Sequence, residues 1–278
     1  MKYKITERGA ELTLSDGFDL KNTFECGQCF RWSENEDGSY SGIVRGKKAR
    51  VYKDSDIVII EGSDENDFEN IWRKYFDTDS DYHALREEMI RLCPQISCAV
   101  ECTDGIRILS QEPWEVLCSF IISQNNNIPR IRGIVTRLCE NFGENTGGDY
   151  SFPSAEALSD LQPQDLSVLR AGFRARYIID AAKKVNSGEV NLAKMYEAPI
   201  DECRKELMTI TGVGVKVAEC TLLYGLHRME AFPIDVWMKK ALAADFSGVT
   251  PEALGKTAGI AQQYIFHYMR NSNGAVIL

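Results

Sequence analysis

Near residue 105 the chain changes period, and that change limits its folds more than any other feature. Before it, short β-rich runs alternate with turn residues: Lys4–Leu14, Tyr40–Ile43, Ala49–Tyr52 and Ile57–Glu61, the last two joined through Asp-Ser-Asp as a hairpin. Two helices are predicted over Phe68–Tyr75 and Tyr82–Leu92. From about Arg107 on, apolar residues recur at helical spacing in segments cut by Gly or Pro. Pro113–Ile122 opens with a first-turn proline. Asn125-Asn126-Asn127 interrupts it, and Arg130–Asn141 follows. After a loop over Gly143–Ser154, helices are predicted at Ala155–Leu161, Pro163–Ala171, Ala175–Asn186, Asp201–Thr209, Lys216–Gly225, Val236–Phe246 and Gly255–Met269. The expected class is therefore α+β, with a β-rich domain over 1–105 and an all-helical domain over 106–278.

The 278 residues suffice for two domains without staples. No apolar run approaches the roughly 18 residues needed to span a membrane, and the start, MKYKITERGAELTLS, lacks the apolar core of a secretory signal. The nine cysteines form an odd set, which suits reduced thiols in an intracellular, cytoplasmic protein. Cys26-Gly-Gln-Cys29 has the spacing of a redox or metal pair but lacks the second pair that zinc requires. The net charge of −9 speaks against a nucleic-acid partner at first sight. Cations nevertheless cluster at Arg130/Arg132, Arg174/Arg176, Lys183-Lys184 and Lys239-Lys240. A phosphate backbone responds to the local field, so charge leaves both readings open.

The most informative segment is Glu206–Cys220, ELMTITGVGVKVAEC. One helix ends, Gly212-Val-Gly214 turns the chain, and a second helix starts almost at once. Two glycines tolerate positive φ and leave no Cβ between a phosphate and the backbone N–H groups at a helix start. Such a turn can hold nucleic-acid backbone without reading sequence, although taken alone it is more often a plain αα-hairpin turn. Lys216 falls in the first turn of the second helix, where the dipole and partial desolvation disfavour the ammonium and so favour attack by the amine. About twenty residues on, Pro233-Ile-Asp235-Val starts another helix. Asp235 suits an N-cap, and a capping carboxylate close to Lys216 could also stabilise positive charge developing on a sugar.

These residues, in this order, resemble the helix-hairpin-helix DNA glycosylase superfamily, and more narrowly its 8-oxoguanine DNA glycosylase/AP lyases. The matching blocks are Phe24–Trp32 (FECGQCFRW), Ser123–Ile131 (SQNNNIPRI), Gly172–Tyr177 (GFRARY), the hairpin, Pro233–Val236 and Ala261–Phe266. The resemblance implies a TATA-binding-protein-like β domain beside a helical glycosylase domain. It also implies a DNA partner containing 8-oxoguanine, and action as a monomer. Everting the nucleotide makes its C1′ reachable. Lys216 would then attack C1′ while Asp235 supports oxocarbenium-like charge. A Schiff base forms, and β-elimination nicks the strand.

Recognition roles are implied residue by residue. Gly27 would offer its carbonyl to N7–H, which only the oxidised base carries. Gln262 would meet the Watson–Crick edge and Phe266 would stack, the two lying four apart on one helix face. Cys220 would close the opposite face, as a thiolate beside the Lys216 ammonium. Asn125, Arg130 and Arg174 match residues that hold the orphaned cytosine, and Phe173 matches an aromatic wedge, usually Tyr in relatives.

Two departures weaken the match at the lesion pocket. Relatives often carry His after Pro-x-Asp-Val, contacting a phosphate and paired with an Asp near the last helix; here Trp237 and Met269 occupy those places. The pocket is therefore expected to be less polar, with stacking in place of that contact. The superfamily branch with an iron–sulfur cluster needs four C-terminal cysteines, and nothing after Cys220 is Cys. No metal cofactor is expected, while a cation between hairpin carbonyls and a phosphate stays open. The competing readings are an alkyl-base glycosylase, usually without a lysine nucleophile, and a non-catalytic DNA-binding hairpin module.

Overall fold

A computed structural model describes residues 2–14 and 17–274. The N-terminal part forms one antiparallel sheet in the order β1-β2-β6-β5-β4-β3. Its strands are β1 (Lys2–Thr6), β2 (Gly9–Thr13), β3 (Trp32–Glu34), β4 (Tyr40–Val44), β5 (Lys47–Asp54) and β6 (Ile57–Glu61). The run expected over Lys4–Leu14 is in fact a hairpin, because Glu7-Arg8 reverses the chain and pairs Thr6 with Gly9. At the β5–β6 turn, Ser55 takes a φ of 56°. Between β2 and β3 lies a short helix that sequence alone did not suggest, α1 (Leu20–Glu25), capped by Asp19 accepting from the Asn22 amide at 2.6 Å. It lays Phe24 on Trp32 with ring centroids 4.3 Å apart, and the Trp32 indole donates to the Tyr75 hydroxyl at 2.7 Å. Burying such rings contributes roughly 2 kcal/mol each, so α1 is fixed by packing more than by propensity.

The helical part is built from α2 (Tyr82–Leu92), α3 (Pro113–Ser123), α4 (Ile128–Phe142), α5 (Arg174–Asn186), α6 (Ile200–Leu207), α7 (Val215–Cys220), α8 (Val236–Ala243) and α9 (Ala258–Gly274). Central to it is α3, whose residues Val116 through Ile122 are all buried and which packs on α4, α5, α7 and the turn after α7. Several segments depart from expectation, among them Phe68–Tyr75, whose first five residues form a π turn, and the last helix, whose first three predicted residues form a 3₁₀ turn. Residues 163–171 yield only a 3₁₀ turn at Asp165–Leu169, because Arg170 adopts a left-handed φ of 53° and stops it. The helix expected over Lys216–Gly225 is α-helical to Cys220 and then a π turn, Thr221–Gly225. The helix starting at Val236 ends at Ala243 instead of reaching Phe246.

Packing does not follow a single cut in the chain at residue 105. Tyr82, Met89, Ile96 and Val100 belong to the helical core, as do Cys26 and Phe30, whereas Leu109 returns to the sheet core. Buried polar groups join the two layers. The fully buried Arg107 donates to the carbonyls of Phe76, Asp77 and Ser80 and stacks on Tyr82 at 4.3 Å. The Gln28 amide donates to Thr23 and Arg107 carbonyls at 2.9 and 2.8 Å and accepts from the Leu109 amide at 2.9 Å. Arg107 and Gln28 are tolerated in the interior because they are hydrogen-bonded there, and the loop bearing Gly27 is thereby held in register with the helical part.

Candidate active site

The hairpin of α6, residues 210–214 and α7 is held by one face of α5. The Lys184 amine donates to the Thr209 carbonyl at 2.7 Å, and Asp180 accepts from the Thr211 amide at 2.6 Å. Tyr177, on the same face, lies under Gly212, where an added Cβ would meet the ring at 2.4 Å and φ is +80°. Gly212 is therefore required by packing as well as by conformation. Gly214 differs: its φ is −101°, and an added Cβ would meet no heavy atom within 4 Å. It caps α7 without a side chain, leaving the first amides of that helix open to an incoming anion.

In front of the hairpin lies an open cavity of about 950 Å³. Lys216 enters it half-buried, donating to Ser123 Oγ at 3.3 Å with Nζ 4.6 Å over the Phe120 ring. Asp235 lines the same cavity. It is the N-cap of α8, and its Oδ1 accepts from the Trp237 and Met238 amides at 2.9 Å each. Behind both residues the buried Glu219 accepts from the Arg204 guanidinium and, at 2.6 Å, from the Phe232 amide. That carboxylate ties α6, α7 and the segment leading to Asp235 into one body. Cys220 also lines the cavity, but as a thiol: burial pushes it up to about 11, outweighing the downward pull of the Lys216 ammonium. The expected thiolate beside the ammonium is corrected accordingly.

Across the cavity stands Gly27, with φ +91° and the Ile128 and Phe266 side chains 3.6 and 3.8 Å from where its Cβ would be. Gln262 and Phe266 of α9 complete this wall. The two walls are linked through Tyr224, which the π turn carries. Its ring stacks on Phe120 at 5.5 Å, and its hydroxyl donates to Gln263 Oε1 at 2.6 Å, with Gln262 Oε1 3.4 Å away. Gln263 in turn donates to the Cys26 carbonyl at 3.5 Å.

On the third side Asn125, at a φ of 50°, and Arg130 line the cavity and are exposed. Phe173, 49% exposed, meets Tyr177 edge to face at 5.6 Å. Arg174 is buried, and its guanidinium donates to the carbonyls of Gln124 (2.9 Å), Ala171 (3.1 Å) and Asn125 (3.2 Å). In this state it fixes the Asn125 turn and does not face the cavity.

Thus Gly27, Asn125, Arg130, Lys216, Cys220, Asp235, Gln262 and Phe266 share one cavity, while Phe173, Arg174, Gly212 and Gly214 lie outside its lining. Ser123, Phe120, Tyr224, Glu219 and Arg270 were not singled out from sequence. Only Arg270, one helical turn beyond Phe266, carried a usable signal there. Trp237 lines the cavity with the Lys240 ammonium 5.3 Å over its ring, whereas Met269 is buried in the helical core and takes no part in the lining. Among the described residues no three His, Cys, Asp or Glu side chains group as a metal site, and no helix is long and apolar enough to cross a membrane.

A hairpin, a lysine and an aspartate around one cavity in a helical domain define the HhH-GPD superfamily of base excision DNA repair proteins, whose family description matches residues 118–256. Within it the chain belongs to the 8-oxoguanine DNA glycosylases, since residues 11–117 match their N-terminal domain. The N-glycosylase/DNA lyase of Saccharomyces cerevisiae is 32% identical, over 82% of this chain and 68% of the relative. The solved structure of Clostridium acetobutylicum 8-oxoguanine glycosylase/lyase, with double-stranded DNA containing cytosine opposite 8-oxoG, is 36% identical with a TM-score of 0.91. It covers 98% of this chain and 99% of that one. MBOgg1 in complex with a low-affinity DNA ligand is 42% identical with a TM-score of 0.90, covering 98% and 100%. The 3-methyladenine DNA-glycosylase of Archaeoglobus fulgidus, at 18% identity and a TM-score of 0.70, shares the fold.

Proposed function

We propose that this chain removes 8-oxoguanine opposite cytosine in double-stranded DNA, with Lys216 as the nucleophile. The chain is a bifunctional DNA glycosylase and AP lyase. The observation that carries the residue assignment is the convergence of Lys216, Asp235, Gly27, Gln262 and Phe266 on one cavity large enough for an everted nucleotide.

The hairpin amides at Gly214 grip the backbone, and Phe173 fills the stack beside the vacated position. The base enters between Phe266 and Cys220, presenting N7–H to the Gly27 carbonyl and its Watson–Crick edge to Gln262. Guanine, with a lone pair at N7, would set acceptor against acceptor there, which costs about 1–3 kcal/mol of unsatisfied carbonyl and N7. The Lys216 amine forms the C1′–N bond as the N-glycosidic bond breaks, and the base leaves with the electron pair and takes up the proton that the new C1′-bound nitrogen gives up. The Asp235 oxygen not used in capping faces the positive charge that spreads over C1′ and the ring oxygen. Ring opening gives the Schiff base, and loss of a C2′ proton expels the 3′ phosphate. Arg130, with Arg174 once released from its carbonyls, holds the orphaned cytosine. The enzyme works as a monomer.

Borohydride treatment during turnover of an 8-oxoguanine:cytosine duplex tests this reading, because reduction freezes the Schiff base as a stable adduct. A covalent complex with excision faster opposite C than opposite A is expected. Excision without any adduct would remove Lys216 from the mechanism, and equal rates opposite the two bases would remove Arg130 and Arg174 from cytosine recognition.

A further inference from the structure

Arg270 stands at the recognition wall and has no role in the scheme above. It lies on α9, one turn past Phe266, half-buried and lining the cavity. Its guanidinium carbon sits 5.7 Å from the Phe266 ring centroid, and Nη1 is 3.7 Å from where a Gly27 Cβ would be. One bond holds it in place, from Nη1 to the Glu25 carbonyl at 3.3 Å, and no carboxylate pairs with it among the described residues. A guanidinium presents five N–H donors in a rigid plane, so one carbonyl leaves most of the fork unspent. Its remaining donors stand beside an apolar ring at the edge of an open cavity, where a substrate oxygen can reach them.

The chemistry of the lesion says what those donors meet. 8-Oxoguanine differs from guanine at two adjacent atoms: N7 gains a hydrogen, and C8 gains a carbonyl oxygen. If N7–H points at the Gly27 carbonyl, O8 projects within about one residue's width of it. Arg270 Nη1, 3.7 Å from where a Gly27 Cβ would be, is within side-chain reach of that zone. Guanine has only C8–H at that position and offers the same donor nothing.

We propose that Arg270 is a second specificity determinant, donating a charge-assisted hydrogen bond to O8 of the everted base. The Gly27 carbonyl and the Arg270 guanidinium together read the two atoms that oxidation changes, one as acceptor and one as donor. Phe266 supports both partners, stacking on the base and keeping the guanidinium plane at the pocket edge. The inference rests on 8-oxoguanine being the excised base, which the wild-type trapping experiment establishes or refutes independently.

The test uses the full chain as wild type and as R270M, which keeps the length of the side chain and removes its donors. Single-turnover excision is measured on duplexes carrying 8-oxoguanine or 8-thioguanine. The thio base retains N7–H but replaces O8 with sulfur, a weak acceptor. Binding to a tetrahydrofuran abasic-analogue duplex, which has no base, is measured in parallel. R270M should slow 8-oxoguanine excision about tenfold to a hundredfold, the loss expected for one charge-assisted hydrogen bond. It should slow 8-thioguanine excision far less, and tetrahydrofuran binding should hold. An unchanged 8-oxoguanine rate overturns the proposal, and so does equal slowing on both bases. Weaker tetrahydrofuran binding with an unchanged oxo-to-thio ratio assigns Arg270 to the DNA backbone or the fold and also overturns it. Should R270M fail to fold, R270Q carries the same comparison, since its neutral amide lacks both the charge and the fork.

Discussion

The polar side chains that frame the cavity and the two reacting candidates that enter it, Lys216 and Asp235, are treated in opposite ways. Behind it, Glu219 is met by Arg204 and the Phe232 amide, Gln28 uses both its amide nitrogen and its oxygen, and Arg107 donates to three carbonyls. Facing it, Lys216 donates to Ser123 Oγ over a long 3.3 Å, and Asp235 spends one oxygen on its helix. Satisfied groups are costly to disturb and so define a rigid frame; groups with spare capacity are available to substrate. The difference teaches where the molecule resists change and where it waits for a partner.

That contrast predicts a graded response to substitution. The largest effect belongs to the cavity side. K216Q should abolish borohydride trapping altogether while binding to an 8-oxoguanine duplex stays close to wild type; an adduct surviving in this variant would move the nucleophile elsewhere. Next comes the frame. E219A removes a buried carboxylate, leaving the Phe232 amide unmet and Arg204 with Asp201 as its remaining carboxylate, and should cost about 3 kcal/mol of stability in urea unfolding. It should also slow excision by loosening the approach to Asp235. A stable E219A enzyme with normal excision would show that the tether behind the cavity is dispensable.

The two hairpin glycines sharpen the contrast within five residues. G212A must place a methyl against Tyr177 at positive φ and should destabilise by about 2 kcal/mol. G214A meets open space, so it should cost under about 1 kcal/mol of stability yet weaken DNA binding by crowding the amides. Reversed stabilities, read from thermal unfolding, would contradict the assignment of one glycine to packing and the other to the partner. The smallest effect is titration of Cys220. Burial raises its folded value to about 11, so the neutral thiol it favours stabilises the fold below about pH 9, and that stability is lost as pH climbs from 9 towards 11. The C220A variant should lose stability less steeply over that alkaline range; identical slopes would mean that the thiol is not held neutral.

Much of this was legible before any coordinates, for identifiable reasons. Helical period and Gly/Pro punctuation are local signals, so α2 matched its predicted bounds and α3 fell within one residue of them. Lys216, Asp235 and Gly27 stood in recognisable blocks. What escaped depends on distance in sequence. Glu219 is unremarkable until Phe232 arrives thirteen residues later, and α1 exists because Phe24 finds Trp32 and Tyr40. The π turn after Cys220 carries no propensity signal, yet it aims Tyr224 between Phe120 and Gln263. The thiolate expectation failed because proximity of Lys216 was visible in the sequence while complete burial was not.

Phe173 immediately precedes α5, and the anchors of the hairpin, Tyr177, Asp180 and Lys184, follow along a single stripe of it. If Phe173 pries and the hairpin grips as proposed, the spacing between them is a fixed gauge, like the jaws of a caliper. Such a gauge would meet an intact duplex and an oxidised one alike, so selection between them would fall to whatever the everted base meets afterwards.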